Sequence, residues 1–576
     1  MGCLQSRSHA NAVEPISSEP NVNQNQAVEL ISPMKIRIIE DCIVVWLVLD
    51  KSVNIQNAAS KLRHIISTVI VFFDQDECLN YVQSIRIEKV FLIVPSIDFY
   101  VDNLRKLPQI EKVYAFIPQS QEDENRVEPM IINDTNSDIN NLCKQLEIDV
   151  ELCELDLIPI TTTCPPEESE STIDCRKREA AFLLSQLMSE ILYRLKFENN
   201  AKAEFINFCR AQYVDNEVQM SMIDNFEANY RPQKVIHWIT KQCFIWRILQ
   251  RMQRTLEIDI LYKLGFLLKH AHTQLNIVQE KTMMNSENRL VVYRGKTMFK
   301  EKFNHLVRRN TGGLLCFGNF FAAHFDRELS MDFIGSRLNA LPETIGILFE
   351  IHIDPTIRNA RSPFAPLEKI QSDEYHGKPG IFFGMHSVFR IDYVDQFIDE
   401  VMNLVWIVKL TLVADDDQQL LRLVAPLRSS EVHANPISYV GKLFMDMGDF
   451  ERAEEYFLSL LQDSSVLSQP RRLVRVHIGL GANYMITGEY DKALEQYEQA
   501  LQVSLTYLPP THTDLAPLYD AIGKNQFQRG NYQKAVENYE KAADLIGNKI
   551  QTGCDSLVND LNTRIDGVKT LLNNGK

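Results

Sequence analysis

The stretch TGEYDKALEQYEQAL, residues 487–501, has two counterparts in the same chain, MGDFERAEEYFLSLL at 447–461 and RGNYQKAVENYEKAA at 529–543. In each copy a glycine is followed two residues later by Phe or Tyr and five residues later by alanine. The glycines are Gly448, Gly488 and Gly530, and the alanines are Ala453, Ala493 and Ala535. Glycine ends helices readily because it adopts the left-handed conformation, and alanine lets a paired helix approach closely. The pattern therefore predicts three helix pairs.

These repeats resemble tetratricopeptide repeats, and their spacings of 40 and 42 residues resemble the longer kinesin-light-chain type. We expect an all-α solenoid over residues 436–547, followed by a C-terminal helix or tail at 548–576. Such arrays leave a concave groove for peptides, so the resemblance implies a peptide or protein partner. The alternative is an array that only packs against the preceding domain.

Size and composition indicate a multidomain protein. A chain of 576 residues is too long for one hydrophobic core. Its net charge of −16 argues against a general nucleic-acid binder, which needs a basic surface. The eleven cysteines are odd in number and include no CxxC pair, so we expect free thiols and a cytoplasmic, reducing compartment.

The N-terminus carries a pattern for lipid attachment. Gly2 follows Met1, and Ser6 stands where N-myristoylation requires Ser or Thr. Cys3 offers a palmitoylation site, and two acyl chains anchor a protein more firmly than one. Residues 1–34 are polar and predicted to be disordered. We therefore expect a tail that tethers the protein to the inner face of a membrane; the alternative is an unmodified flexible tail.

Residues 35–158 alternate short β-branched runs with helical stretches, which predicts a doubly wound parallel α/β domain of the flavodoxin-like type. Its ligand would lie beyond the carboxyl ends of the strands, near Asp50, Asp74 and Ser96. There is no GxGxxG or P-loop motif, so a structural or interaction role stays open. The polar, proline-containing residues 159–175 are interpreted as a linker.

Residues 176–280 have apolar residues at helical spacing, whereas residues 288–415 contain strand-like segments without long intervening helices. The second region therefore predicts a mixed or antiparallel sheet. His270 and His272 have no third metal ligand near them in the sequence, so no metal site is predicted.

Within this region Arg294 is predicted to lie at the end of an apolar strand, and it precedes Gly295. An arginine placed in this way can hold a phosphate with two hydrogen bonds, and a glycine lets a ligand come close. Further segments follow it in order: VYRG at 292–295, FGNFFAAHFDRELS at 317–330, LFEIHIDP at 348–355, PFAPLEKIQS at 363–372 and IFFGMHSVFRI at 381–391.

Together these segments resemble the arginine-specific mono-ADP-ribosyltransferases of the R-S-E class, and residues 176–280 are similar to that family's helical lead-in. The resemblance implies an α+β domain over residues 176–415 and NAD as the substrate or ligand. In that family the nicotinamide–ribose bond of NAD breaks, and a guanidinium of the target protein attacks the ribose. Arg294 and Gly295 match the NAD-holding strand.

The other two family motifs are changed in this sequence. A Ser-Thr-Ser stretch that fixes the ribose corresponds here to Ala322, Ala323 and His324. A Glu-x-Glu motif corresponds to Lys378 and Gly380; in the family its second glutamate stabilises the developing positive charge. The resemblance therefore implies a catalytically impaired domain within a regulatory or scaffold protein.

Two alternatives stay open. The loop before Gly380 contains Glu374, which would serve as the catalytic acid of an active transferase. The chain would otherwise be an interaction scaffold that binds no nucleotide.

Overall fold

The computed structural model describes residues 40–574 apart from several gaps. The gaps are 50–54, 86–87, 96–106, 117–134, 137–138, 158, 167–171, 195–199, 215, 242, 256–257, 283–288, 342, 355–356, 358–361, 371–377, 400–402, 430–431, 433–435, 463 and 548–554. The acylation pattern at Gly2 and Cys3, the predicted strand at 127–134 and the candidate acid Glu374 lie outside the described residues.

The first region is a five-stranded parallel sheet with strand order β2–β1–β3–β4–β5. Its elements are β1 (Cys42–Leu47), α1 (Gln56–Ile65), β2 (Val69–Phe72), α2 (Gln75–Ser84), β3 (Lys89–Val94), β4 (Ile110–Phe116), β5 (Thr135–Asn136) and α3 (Ile139–Asp156). Strand β1 is buried along its whole length because α1 and α3 cover one face of the sheet and α2 covers the other. Burial on both faces explains why these strands are continuous apolar runs.

The segment predicted to be a linker contributes structure of its own, so that prediction is wrong for part of its length. Strand β6 (Ile160–Thr162) pairs with a later strand and buries Ile160 and Thr162. Beyond it, Cys164 is disulfide-bonded to Cys175, with 5.7 Å between their Cα atoms. The expectation of free thiols is therefore wrong for this pair, because β6 and the helix after it bring together two cysteines that no sequence motif links.

Six helices follow: α4 (Ile173–Arg194), α5 (Ala201–Gln212), α6 (Glu217–Asn229), α7 (Val235–Thr240), α8 (Phe244–Thr255) and α9 (Ile258–Thr282). Their core contains the mutually contacting rings of Phe205, Phe226 and Phe244, with centroids 6.0–6.2 Å apart. The same apolar cluster continues into the first repeat helices.

A nine-stranded mixed sheet comes next, with strand order β11–β12–β9–β7–β10–β14–β13–β8–β6. Its remaining elements are β7 (Leu290–Phe299), α10 (Lys300–Leu306), β8 (Leu314–Phe317), β9 (Phe321–His324), α11 (Arg327–Ala340), β10 (Thr344–Ile353), β11 (Phe364–Pro366), α12 (Leu367–Ile370), β12 (Gly380–Phe383), β13 (Ser387–Ile398), β14 (Leu404–Leu412) and α13 (Gln418–Val424). Strands β10 and β14 are parallel. Phe317, Phe321 and Phe389 contact one another at its centre, with centroids 4.7–6.0 Å apart.

The C-terminal region is helical: α14 (Pro436–Met447), α15 (Phe450–Leu460), α16 (Ser464–Leu467), α17 (Pro470–Thr487), α18 (Tyr490–Leu505), α19 (Ala516–Gln528), α20 (Tyr532–Gly547) and α21 (Asp555–Asn574). Gly448, Gly488 and Gly530 have φ of 79°, 84° and 77° and lie between paired helices. The three repeat alanines are fully buried. Helix α14 also packs against α4.

Candidate functional site

Arg294 lies in the middle of β7, so the prediction that it ends its strand is wrong, because the strand continues to Phe299. Two contacts hold its side chain. Its Nη1 donates a hydrogen bond of 2.9 Å to the carbonyl oxygen of Ala322, and its guanidinium stacks 4.8 Å from the ring centre of Phe321. Its Nε is buried without a hydrogen-bond partner. Burial lowers the pKa of Arg294 to about 10, so the side chain still carries its charge at neutral pH.

Gly295 has a packing role that the sequence did not indicate. A β-carbon there would lie 2.3 Å from the carbonyl oxygen of Ser330, in helix α11. The glycine therefore allows α11 to cross close to β7, in addition to lining the cavity described below.

The residues at the Ser-Thr-Ser positions form β9 beside Arg294. Ala323 is fully buried in the sheet core, and the backbone of Ala322 accepts the arginine's hydrogen bond. His324 pairs with Tyr293 of β7 and with Gly380 of β12, and its Nδ1 is buried without a partner. The structure thus places β9 between Arg294 of β7 and Gly380 of β12. The residues of β9 at the Ser-Thr-Ser positions carry no hydroxyl group.

Gly380 begins β12 and lies too close to β9 to carry a side chain. A β-carbon would be 2.4 Å from the carbonyl oxygen of Ala323 and 3.1 Å from the Cα of His324. Because both of these are backbone atoms, a glutamate at this position would require the two strands to move apart.

Lys378 is on the surface beside this strand. Its Nζ lies 3.6 Å from Oδ2 of Asp326, and its side chain is 62% exposed. Asp326 also caps α11 by accepting from the backbone N–H of Glu328. The lysine therefore points toward a helix-capping carboxylate at the protein surface.

A cavity of about 370 Å³ adjoins Arg294, and two regions of the chain form its walls. Strand β7 contributes Arg294, Gly295, Lys296 and Thr297, and helices α8 and α11 contribute side chains beside them. The opposite wall comes from the parallel-sheet region: Glu40, Asp41, Cys42, Ile65, Ile66, Val150, Glu151, Glu154, Leu155 and Leu157.

Charged contacts hold the two walls together. The buried Arg251 of α8 lies 2.9 Å from a carboxylate oxygen of Glu88 and donates to the carbonyl oxygen of Glu40 at 2.8 Å. Arg247 lies 3.4 Å from the Glu40 carboxylate, and Arg337 of α11 pairs with Glu151 of α3. The amino ends of the parallel strands therefore face the cavity, rather than the carboxyl ends at which we expected a ligand.

Two ionisable residues of this cavity were missed in the sequence. Lys296 is only 8% exposed, and burial, together with Arg294 and Lys302, lowers its pKa well below that of an ordinary lysine. Burial, with Asp41, Glu151 and Glu40 nearby, raises the pKa of Glu154 to about 7 against the opposing effect of Arg247. The alternation of β7 would have placed Lys296 on the face of Arg294, but nothing in the sequence pointed to Glu154.

The other predicted site residues are not near the cavity or lie outside the described residues. Asp74 caps helix α2 by accepting from the N–H of Glu77, whereas Asp50 and Ser96 are among the residues not described. Nδ1 of His270 lies 2.7 Å from the hydroxyl of Tyr230. Within the described residues no group of three metal-ligating side chains occurs, and none of the helices there has the length and apolar character needed to cross a bilayer.

Comparison with known proteins identifies the repeats. The tetratricopeptide repeat family model matches residues 472–546, so the prediction of these repeats is confirmed there. No curated protein matches the chain by sequence. The resemblance to the arginine-specific transferases thus has no sequence match behind it and stays a prediction.

Several solved structures are similar to parts of the chain. The type III secretion translocator chaperone SycD of Yersinia enterocolitica is 20% identical over 26% of this chain and 94% of its own, with a TM-score of 0.20. Plx2a, an ADP-ribosyltransferase toxin from Paenibacillus larvae, is 12% identical over 37% of this chain and 96% of its own, with a TM-score of 0.20. The Clostridium limosum C3 exoenzyme is 14% identical over 38% and 99%, also with a TM-score of 0.20.

Proposed function

We propose that this protein is a regulatory or scaffold protein whose repeats recruit a peptide or protein partner and whose central domain does not turn over NAD. The repeat region supports the first part, since such arrays present a groove that binds peptides. The second part combines the resemblance to arginine-specific transferases with the geometry around Arg294.

The observation that carries the proposal is the crowding at Gly380. Its missing β-carbon would lie 2.4 Å from the Ala323 carbonyl oxygen, at the position where the resemblance calls for the charge-stabilising glutamate. A positioned acid–base group is worth about 10²–10⁴ in rate, and lost stabilisation of a developing charge costs about 3–4 kcal/mol. Ala322 and Ala323 also lack hydroxyl groups that could hold a ribose. The domain would therefore turn over NAD without a positioned glutamate and without hydrogen bonds from these two residues to the ribose.

Two finer assignments belong to this proposal. We infer that the domain predicted over residues 35–158 is flavodoxin-like, because its described strands have the order β2–β1–β3–β4–β5, which matches that class. We also infer that acylation at Gly2 and Cys3 tethers the chain to the cytoplasmic face of a membrane. Arg294 is the residue through which NAD would bind if the domain keeps its ligand.

A transfer assay tests the proposal. The purified full chain is incubated with labelled NAD and a small guanidine acceptor, beside an active arginine-specific transferase that verifies the assay. We expect no transfer by the native chain. We also expect none by the double variant Lys378→Glu, Gly380→Glu, because the second glutamate has no room in β12.

Transfer by the native chain would contradict the proposal. In that case Glu374→Gln decides whether the alternative acid is used, since it would abolish the transfer if Glu374 is the catalytic acid. Glu368→Gln, which changes an exposed carboxyl in α12, is the matched control and should leave transfer intact.

A further inference from the structure

The three repeats can be aligned on a glycine at which their paired helices meet. Gly441 of α14, Gly481 of α17 and Gly523 of α19 each pack against an aromatic ring of the following helix. A β-carbon at these positions would meet the rings of Phe457, Tyr497 and Tyr539. Residues at the same distance from this glycine are therefore equivalent in α14, α17 and α19.

Two residues beyond the glycine, α17 and α19 carry an asparagine that contacts the preceding repeat. Nδ2 of Asn483 donates to the carbonyl oxygen of Phe450, the first residue of α15, at 3.0 Å. Nδ2 of Asn525 donates to the carbonyl oxygen of Tyr490, the first residue of α18, at 2.8 Å. This position of a repeat therefore faces the second helix of the repeat before it.

In the first repeat the equivalent residue is Leu443 of α14, and it faces a helix of the central domain instead. Leu443 is only 1% exposed, and it lies at the boundary with α4 together with Ala180 and Leu183. All three belong to, or pack against, one apolar cluster. Helix α4 thus stands where the second helix of a preceding repeat would be, and it covers an end of the array that has to be capped.

The opposite side of α4 is anchored in the nine-stranded sheet. Nε2 of Gln186 donates to Sγ of Cys316 in β8 at 3.5 Å. The disulfide between Cys164 and Cys175 joins the first turn of α4 to the chain just beyond β6. Because residues 173–183 of α4 are also the part that adjoins α14, the covalent link lies in the same turns that cover the array.

Two observations indicate that this link can open. A cavity of about 560 Å³ lies between α4 and α14, so their contact is not closely packed there. Thr172 and Ile173, beside the buried Cys175, are exposed, so local fraying of the first turn would admit a reductant. Among the described residues seven other cysteines are free, and a disulfide in a cytoplasmic chain is usually transient.

We propose that α4 is the amino-terminal cap of the repeat array, and that the Cys164–Cys175 disulfide is a redox-sensitive site that fixes this cap. The reactant is a dithiol. One of its sulfurs attacks the disulfide and displaces one cysteine, and its second sulfur then displaces the other. Two electrons and two protons pass to Cys164 and Cys175, which become thiols, and the dithiol leaves as a disulfide. In the reduced chain the first turns of α4 fray, and α14 separates from the central domain more often.

This proposal goes beyond partner recruitment, because it assigns a state of the chain that controls the first repeat. Its redox part rests on the proposed cytoplasmic location, where thiols reduce most disulfides. The cap itself rests on the contacts of α14 alone.

Hydrogen exchange of the full chain tests the proposal. The oxidised chain is compared with a sample held in dithiothreitol, and alkylation followed by mass spectrometry measures the free thiols at Cys164 and Cys175. On reduction we expect amides of α14 and α15 to exchange at least about tenfold faster, because the constraint on α4 is lost. Amides of α20 should be unchanged, since each repeat contacts only its neighbours.

Two variants show whether the disulfide causes the effect. The double variant Cys164→Ser, Cys175→Ser should exchange as the reduced native chain does and should not respond to dithiothreitol. Cys143→Ser removes a half-buried free thiol from α3, and this control should respond to dithiothreitol as the native chain does.

A second pair of variants tests the cap in the oxidised chain. Leu443→Ala shortens the side chain that faces α4, so it should speed exchange both in α14 and in residues 173–183 of α4. Leu458→Ala changes an exposed leucine of α15, and this control should leave exchange in α4 at the native level.

The redox part is overturned if the oxidised chain contains no Cys164–Cys175 disulfide or if dithiothreitol cannot reduce it in the folded chain. Reduction that leaves exchange in α14 unchanged also overturns that part. The cap is overturned if Leu443→Ala leaves exchange in α4 unchanged. None of these results depends on whether the chain transfers ADP-ribose or is acylated, so the proposed function and this inference can fail separately.

Discussion

Gly380 begins β12 in contact with the backbone of β9. Because of this contact, even a methyl side chain at residue 380 should destabilise the fold. Gly380→Ala places a β-carbon 2.4 Å from the carbonyl oxygen of Ala323. We expect the free energy of unfolding to fall by about 1–3 kcal/mol, as for other overpacked core sites. Urea unfolding followed by circular dichroism measures the change.

Gly335→Ala is the control for that variant. Gly335 lies inside helix α11, and apart from its chain neighbours and the backbone of its own helix no described atom lies within 4 Å of the position of its β-carbon. Alanine should therefore stabilise the helix by up to about 1 kcal/mol. Equal effects of the two substitutions would show that β12 does not crowd β9 at Gly380.

Glu154 should make the stability of the folded protein depend on pH. Its pKa in the folded protein is raised to about 7, above about 4.3 in an unfolded chain. The folded state thus binds the proton more tightly, and stability is lost as pH rises from about 4.3 through 7. Glu154→Gln should remove this loss and be more stable than the native chain at pH 8, with a smaller difference at pH 5.

The effect should be about 1 kcal/mol or less, because the side chain is open to the cavity and solvent reduces the interaction. Thermal melts at both pH values measure it. Glu147→Gln removes an exposed carboxyl from the same helix, α3, and serves as the control. If the Tm difference between the native chain and Glu154→Gln is the same at both pH values, a raised pKa of Glu154 is excluded.

In the repeats, an aromatic ring of one helix packs directly against a glycine of the paired helix. A β-carbon at Gly523 in α19 would be 2.6 Å from the ring of Tyr539 in α20, and Gly481 meets Tyr497 in the same way. Gly523→Ala should lower the stability of the repeat region by about 1–3 kcal/mol. Hydrogen exchange of α19 and α20 measures this locally.

Gly567→Ala in α21 is the matched helical control, since apart from its chain neighbours and its own helix backbone no described atom lies within 4 Å of its β-carbon position. It should stabilise its helix by up to about 1 kcal/mol. Faster exchange in both variants would mean that a glycine-to-alanine change, rather than the ring contact, causes the loss.

The sequence predicted regular elements well where local chemistry alone determines them. Gly488 ends its helix in the left-handed conformation that its spacing indicated, and the mixed sheet follows strands that are rich in β-branched and aromatic residues. Strand β6 was missed because three residues in a polar segment give no usable alternation. The disulfide of Cys164 and Cys175 was missed because its formation depends on packing between β6 and α4.

The packing of the parallel-sheet region against the helices could not be predicted from the sequence either. The contacts that seat the parallel-sheet region against α8 join residues far apart in the chain, such as Glu88 and Arg251. No local pattern marks these pairs, and the cavity exists only because they form. The existence of the strand that carries Arg294 could therefore be predicted from the sequence, whereas the acidic wall of the cavity could not.

At the scale of the whole molecule, the residues around Gly2 and Cys3 predict attachment to a membrane. In cells able to acylate proteins, the native chain should incorporate a myristate analogue and partition with membranes. Gly2→Ala should lose the label and the partitioning, because palmitoylation of Cys3 follows the first acylation. Cys3→Ser should keep the myristate label but partition weakly, since one acyl chain binds only marginally.

Ser8→Ala, outside the acylation positions, is the control and should behave as the native chain does. Membrane partitioning of Gly2→Ala at the native level would exclude a lipid tether at this end of the chain.

Nicotinamide release is the sharpest test of the proposal that the central domain does not turn over NAD, because the measurement needs no acceptor protein. Purified full chain is incubated with NAD for hours, and free nicotinamide is quantified against a protein-free control. We predict no release above that control. Release that rises in proportion to protein concentration and disappears in Arg294→Ala would contradict the proposal.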